Sequence, residues 1–296
     1  MSSKKVLITG GSGFIGSHIV KKFTDNGTEV VVFDLTEPVY ELNSSTKFIQ
    51  GDIFNTEKLS DAMNDCDTIV HLVGLPDSGI AQKNPDKSFL LNVISLQNVL
   101  EECRKSGGKK IIFPSSAAIY GITEDLPIKE NFTPNPTNIY AWHKYLCEEM
   151  VRSYNQNYGI QYVILRFFNV YGKGNEGVIG IFLDKARKGE EIISFGPFQY
   201  RDFIYAGDLA ESVFRSVAYD KAINRVINIG SGKGLQIRDI LNIVCEIYPQ
   251  AKWVEKKADF TMYDSIADIT LARILLDFNP NNSRDFMKQI IEDEMI

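Results

Sequence analysis

Short, wholly apolar runs alternate with stretches of helical periodicity from the start of the chain to about residue 170, and that alternation leaves few folds open. Val6-Leu7-Ile8-Thr9, Glu29 to Phe33, Lys47-Phe48-Ile49, Asp67 to Leu72, Lys110 to Pro114 and Tyr162 to Phe167 read as six strands. Runs that are apolar at every position need cover on both faces of a sheet, so these strands are expected to be parallel and buried. The segments between them supply the cover. Phe14 to Asn26 puts Phe14, Ile15, Ile19, Val20 and Phe23 on one helical face and stops at Gly27. Thr56 opens a second helix, capped by Thr56 itself or by Asn55. Asp86 to Lys105 and Thr137 to Asn157 read as two long helices.

The pattern implies an α/β fold, a doubly wound parallel sheet of the Rossmann type with a smaller C-terminal α/β lobe. With 296 residues the chain can hold one large domain and a smaller one. Residues 1–170 are expected to bind a dinucleotide and 171–296 to form the smaller lobe. Within it, Ile179 to Lys188, Asp208 to Ala218, Ile237 to Ile247 and Ala267 to Leu276 carry helical patterns, and a strand at Val226 to Ile229 could return to the main sheet. Pro127 to Pro136 is a Pro/Asn-rich loop ahead of the helix that carries Tyr140.

The first strand meets the first helix through Thr9-Gly10-Gly11-Ser12-Gly13-Phe14-Ile15-Gly16. Gly10, Gly13 and Gly16 permit a tight turn and let backbone N–H groups approach a pyrophosphate, to which the helix N-terminus adds positive charge. The GxxGxxG spacing is a loose match to the general dinucleotide fingerprint. Asp34 strengthens it, because a carboxylate ending the second strand can accept from both ribose hydroxyls and would repel a 2′-phosphate. No arginine follows Asp34 immediately, so NAD is favoured over NADP. Asp52, after the third strand, either reaches the adenine amino group or caps its own turn.

Tyr140 and Lys144 stand at i and i+4 of one helix and so share a face. A free phenol titrates near ~10, too high for a base at neutral pH, and a nearby ammonium and a nicotinamide cation would both favour the phenolate. Ser115-Ser116-Ala117-Ala118-Ile119-Tyr120-Gly121 follows the fifth strand, at the sheet edge where ligands bind in such folds. A serine hydroxyl there can bond a reacting hydroxyl and relay its proton to Tyr140.

Net charge is −6, which gives no electrostatic case for nucleic acid or an anionic membrane. Four scattered cysteines and three histidines (His18, His71, His143) show no metal-ligand spacing, so no metal is expected. The apolar run after Met1-Ser2-Ser3-Lys4-Lys5 is too short for a signal sequence or a span, and a cytoplasmic location is expected.

Together TGGSGFIGSH, Asp34, Gly51-Asp52, SSAAIYG, YAWHK, RFFNVYG and RDFIYAGDLA resemble the extended short-chain dehydrogenase/reductases, in particular their NAD-dependent nucleotide-sugar epimerase/dehydratase branch. The resemblance runs from Lys5 to about Leu276 with the motifs in family order. It implies bound NAD and a nucleotide-diphosphate sugar. It implies Tyr140 as base, Lys144 as its partner and Ser116 as the third catalytic member. Phe14, Ile15, Ile53, Leu72, Asn92 and Phe167 join the glycines and the two aspartates as cofactor contacts. Asn169 and Arg201 are implied contacts of the sugar diphosphate, with a surface ion pair to Asp202 as the plainer role for Arg201.

Two departures bear on the reaction. Dehydratases of the branch carry an Asp-Glu pair where this chain has Ala117-Ala118, which counts against elimination. Many epimerases carry an Arg-x-Gly-Asp run near the C-terminus where this chain reads Lys256-Lys257-Ala258-Asp259-Phe260, and the substrate lobe is expected to be trimmed. The reading that follows is C4 epimerisation of a UDP-sugar through a transient 4-keto intermediate. A nucleotide-sugar dehydrogenase, reductase or decarboxylase is the alternative, and a non-catalytic NAD-binding sensor a remote one. The family also implies a homodimer through the helices at 86–105 and 137–157, with Phe89, Leu90, Val93, Leu96, Val99 and Leu100 either at that interface or in the core.

Overall fold

A computed structural model describes residues 5–76, 78–123, 125–175, 177–257 and 263–295. The first half runs β1 (Lys5–Thr9), α1 (Phe14–Asp25), β2 (Glu29–Asp34), β3 (Thr46–Gln50), α2 (Thr56–Met63), β4 (Thr68–His71), α3 (Ser78–Lys83), α4 (Pro85–Phe89), α5 (Ser95–Lys105), β5 (Lys110–Ser116), α6 (Ile139–Tyr158) and β6 (Tyr162–Phe167). The second half runs β7 (Asn169–Tyr171), α7 (Val178–Lys188), β8 (Ile192–Ser194), β9 (Tyr200–Tyr205), α8 (Ala206–Ala218), β10 (Arg225–Ile229), β11 (Gly234–Gln236), α9 (Ile237–Ile247), β12 (Trp253–Glu255), α10 (Thr270–Leu276) and α11 (Arg284–Ile290). A single π-helical turn, Leu90–Ile94, joins α4 to α5.

Seven parallel strands form the main sheet in the order β3-β2-β1-β4-β5-β6-β10. Successive strand residues point to opposite faces, so the central strands are apolar on both, while the edge strand β3 keeps polar, half-exposed positions. Ile8, Val32, Ile112 and Leu165 face Ile19 and Phe23 of α1 and Leu209 and Val213 of α8. Leu7, Val31, Ile69, Phe113 and Ile164 face Leu59 of α2, Leu96 and Leu100 of α5 and Val151 of α6. Each such side chain contributes roughly 1.5–3 kcal/mol on burial. The strand order reverses between β1 and β4, and the crevice at that switch point is where such sheets take their ligands.

The expected division at residue 170 does not partition the structure. Besides β10, the helices α8 and α10 return to the main sheet, because their apolar faces (Leu209, Val213, Ala272, Leu276) complete the cover over α1 and β10. What stands apart is a lobe with its own core of Ile179, Phe182, Ile192, Phe203, Ile240, Val244 and Met287. It contains the small sheets β11-β9-β7 and β12-β8. Sequence reasoning passed over these strands: four are three residues long, and β9 hides behind the charges of Arg201 and Asp202. Among the described residues no helix is long and apolar enough to cross a membrane.

Candidate active site

The turn after β1 is fixed by its own backbone. Gly10 adopts φ +74°, and a side chain at Gly16 would put its Cβ 2.4 Å from the Gly10 carbonyl oxygen. Gly13 differs. It has an ordinary φ of −76°, and a Cβ there would meet nothing closer than 3.5 Å. The fold alone therefore tolerates a side chain at 13. Gly13 is also the N-cap of α1, which has no side-chain cap and no acidic residue in its first turn. The first N–H groups of the helix are left for an anion that comes close to the backbone, which fits a pyrophosphate.

Around this turn, Asp34 ends β2 and accepts from the Ser12 N–H at 3.0 Å, which sets its carboxylate beside the glycines. Asp52 is exposed after β3 and accepts from the Phe54 N–H at 3.0 Å, so it shapes its own turn. Ile53 is buried, Leu72 is half-buried just past β4, and Phe167 closes β6. Asn92 sits in the π turn. Its Oδ1 accepts from the Leu75 N–H at 3.1 Å and its amide donates to Ser88 Oγ at 3.1 Å. Its side chain thus fastens the loop after β4, a supporting place in the site.

Three hydroxyl or ammonium groups meet at the C-terminal end of β5. Ser116 caps the short 3₁₀ turn Ala117–Tyr120, accepting from the Ala118 N–H at 3.1 Å, and its hydroxyl lies beside the Tyr140 phenol, whose pKa it lowers. Tyr140 opens α6, whose N-cap Asn138 accepts from the Ala141 N–H at 2.9 Å. Lys144, one turn on, donates to the Pro114 carbonyl at 2.8 Å and lies over the Phe113 ring. Burial pushes the Tyr140 phenol up to about 12 against the lowering effect of Ser116, and burial likewise holds the Lys144 ammonium below its usual range. Without the cofactor these effects favour the neutral phenol, and Lys144 is turned to the Pro114 carbonyl.

Beyond β6, β7 and β9 run parallel with Asn169 opposite Phe203, so Asn169 and Arg201 share one face of the small sheet. Asn169 donates to the Asp202 carbonyl at 2.9 Å. Arg201 donates to the Tyr263 carbonyl and stacks on the Tyr263 ring at 4.7 Å. It does not pair with Asp202, since neighbouring strand residues face opposite sides. The Lys256-Lys257 pair is described, whereas Ala258, Asp259 and Phe260 lie outside the described residues.

Several supports escaped sequence reasoning. Asp202 is fully buried and accepts from Ser231 N–H (2.6 Å), Ser231 Oγ (2.7 Å), Gly232 N–H (3.0 Å) and Ala267 N–H (3.1 Å), so it ties β9 to the segments after β10 and before α10. Tyr40 donates to the Gly11 carbonyl at 2.9 Å and braces the glycine turn. His71 lies buried between Thr9 Oγ1 (2.8 Å) and Ser95 Oγ (3.2 Å) beneath the site. Only Arg166, a charge inside an otherwise apolar strand, carried a signal that could have been read.

A doubly wound sheet with a bare helix N-terminus, a strand-end aspartate and a Ser-Tyr-Lys cluster defines a dinucleotide-dependent enzyme of the extended short-chain dehydrogenase/reductase type. Residues 6–230 match the NAD dependent epimerase/dehydratase family, and the chain belongs to it. A curated protein of Methanocaldococcus jannaschii, assigned provisionally as a UDP-glucose 4-epimerase, is 38% identical over 81% of each chain. The UDP-glucose 4-epimerase of Thermotoga maritima with UDP-glucose superposes with a TM-score of 0.89 at 30% identity, covering 97% of both chains. The UDP-glucuronic acid 4-epimerase of Bacillus cereus with UDP-glucuronic acid and NAD gives 0.90 at 29% identity, again covering 97% of both.

Proposed function

We propose that this chain is an NAD-dependent 4-epimerase of a UDP-sugar. The observation that carries the reading is the placing of Ser116 at the sheet edge beside the Tyr140 phenol, whose pKa it lowers, with Ala117 and Ala118 next in the chain. That edge offers a proton acceptor and a relay but no acid for elimination, so it suits reversible oxidation of a hydroxyl. NAD held over the glycine turn would supply a hydride acceptor and a positively charged ring to favour the phenolate. Tyr140 then takes the proton of the sugar 4-hydroxyl, with Ser116 holding the oxygen. Lys144 keeps the phenol helix against β5. Gly10, Gly13, Phe14, Ile15, Gly16, Asp34, Asp52, Ile53, Leu72 and Phe167 line the dinucleotide path, with Asn92 behind them. Asn169 and Arg201 hold the diphosphate, about which the 4-keto sugar turns to present its other face.

The test is incubation with a panel of UDP-sugars followed by NMR, with no cofactor added. Interconversion of C4 epimers supports the reading. Stoichiometric consumption of added NAD or NADH would replace it with a net dehydrogenase or reductase. The exposed apolar side chains Phe89 and Leu90 beside Trp142 and Leu146 support a homodimer through α4 and α6. The free state of Cys66, Cys103, Cys147 and Cys245 fits a reducing, cytosolic setting.

A further inference from the structure

Three successive residues at the end of β5 are gripped by three residues spaced one helical turn apart on α6. The Ser116 hydroxyl lies beside the Tyr140 phenol, the Pro114 carbonyl accepts from Lys144, and Ser115 Oγ donates to Glu148 Oε1 at 2.6 Å. The third rung is the unusual one. Glu148 is fully buried and its carboxylate takes four donors: Ser115, Arg166 Nε (2.9 Å), Arg166 Nη2 (2.8 Å) and Arg152 Nη2 (3.0 Å). Arg166 is only 2% exposed and stands opposite Ser115 in the β5–β6 register. Its remaining nitrogen donates to the Tyr120 hydroxyl at 2.8 Å and the Glu130 carbonyl at 3.0 Å, and Tyr120 in turn donates to Asn228 of β10 at 2.6 Å.

A buried ion pair is a poor way to gain stability, since well-packed apolar residues of similar volume serve as well or better. What a bidentate, fully satisfied pair does supply is direction. An apolar contact between α6 and β5 would let the helix slide or roll by a fraction of an ångström. A fork bonded to two strands and one helix does not. Ser115 and Ser116 share one stretch of backbone, and Glu148 lies two turns from Tyr140 on the same helix, so anchoring α6 at Ser115 limits how far its first turn can shift against Ser116.

We propose that the Glu148–Arg166 pair, acting through Ser115, is a positioning device that holds the Tyr140 phenol against the Ser116 hydroxyl. The kinetic arm of its test rests on the epimerase reading; the spectroscopic arm does not. The variants are Ser115→Ala, which cuts the link and keeps the pair, and the double change Glu148→Leu with Arg166→Met, which replaces the pair by apolar volume. The direct readout is the ¹³Cζ shift of Tyr140, assigned by its loss in Tyr140→Phe. In folded variants with unchanged thermal midpoint, that signal should move away from the wild-type position as the phenol shifts from Ser116. In parallel kcat should fall by roughly 10²-fold with KM little changed, the penalty of a displaced acid/base group. An Arg166→Lys variant should recover part of the loss. If Ser115→Ala leaves the Tyr140 signal in place, the idea is wrong, whatever the double variant does. A wild-type protein without 4-epimerase activity would refute the functional reading alone, because the Tyr140 signal still reports the positioning.

Discussion

The Lys144 ammonium donates to the Pro114 carbonyl at 2.8 Å, so the helix bearing the phenol is tied to the strand end bearing Ser116. In this arrangement Lys144 fastens the helix, and a cationic cofactor ring is expected to add to its charge in ionising Tyr140. Burial keeps the phenol neutral, pushed up to about 12. The base form becomes accessible once a cationic ring lies beside it.

Tyr140 should accordingly stay protonated through about pH 9 without NAD and ionise at lower pH with NAD⁺ bound. The measurement is its ¹³Cζ shift across pH in both states. Ionisation near neutrality without the cofactor would contradict the account. Tyr140→Phe should retain NAD while turnover falls by ~10²–10⁴-fold or more.

Gly13→Ala and Gly16→Ala should separate fold from ligand. At 16 the added methyl lands 2.4 Å from a backbone oxygen, so the thermal midpoint should drop and NAD binding be lost. At 13 the nearest atom is 3.5 Å away, so the midpoint should hold while the NAD Kd rises. Calorimetry with and without NAD distinguishes them. Normal NAD binding by the Gly13→Ala variant would remove the main support for a pyrophosphate at this turn.

His71 makes stability pH-dependent. Burial, with a smaller effect of Lys144, lowers its pKa to about 3, whereas an unfolded histidine titrates near ~6.5. The folded state therefore favours the neutral ring. Its contribution is fully present above about pH 6.5 and fades as pH falls from there towards 3, by at most ~1.4 kcal/mol per unit. Denaturant melts between about pH 7 and 4 should show that slope in the wild type and a flatter one in His71→Gln. Equal slopes would assign the acid sensitivity to other groups.

Arg201 should act on substrate affinity more than on turnover. Arg201→Lys keeps the charge but loses the planar fork that bonds phosphate oxygens and stacks on Tyr263. KM for a UDP-sugar should rise several-fold in Arg201→Lys and further in Arg201→Met, with kcat changed less. Initial rates on the UDP-sugar that turns over check this, and a pure kcat effect would move Arg201 out of the diphosphate site.

For residues 5–167 the pattern of apolar runs anticipated the strands, because a strand covered on both faces must be apolar throughout. The glycine turn, Asp34 and the Tyr140/Lys144 spacing were legible for a similar reason: each is local, set by φ angles or by one helical turn. The lobe was less legible. β9 carries Arg201 and Asp202 in a buried strand, and nothing near Asp202 in sequence shows that its donors are Ser231, Gly232 and Ala267.

The sequence by itself determined the parallel sheet, the glycine turn and the one-turn spacing of Tyr140 and Lys144, since backbone geometry and side-chain spacing act within a few residues. Only the tertiary structure decided the state of that pair. Which carbonyl Lys144 bonds, how far the phenol is buried, and how Arg166 locks Glu148 to Ser115 all depend on segments brought together from far along the chain. Burial and pairing are properties of those assembled neighbours, and no local pattern encodes them.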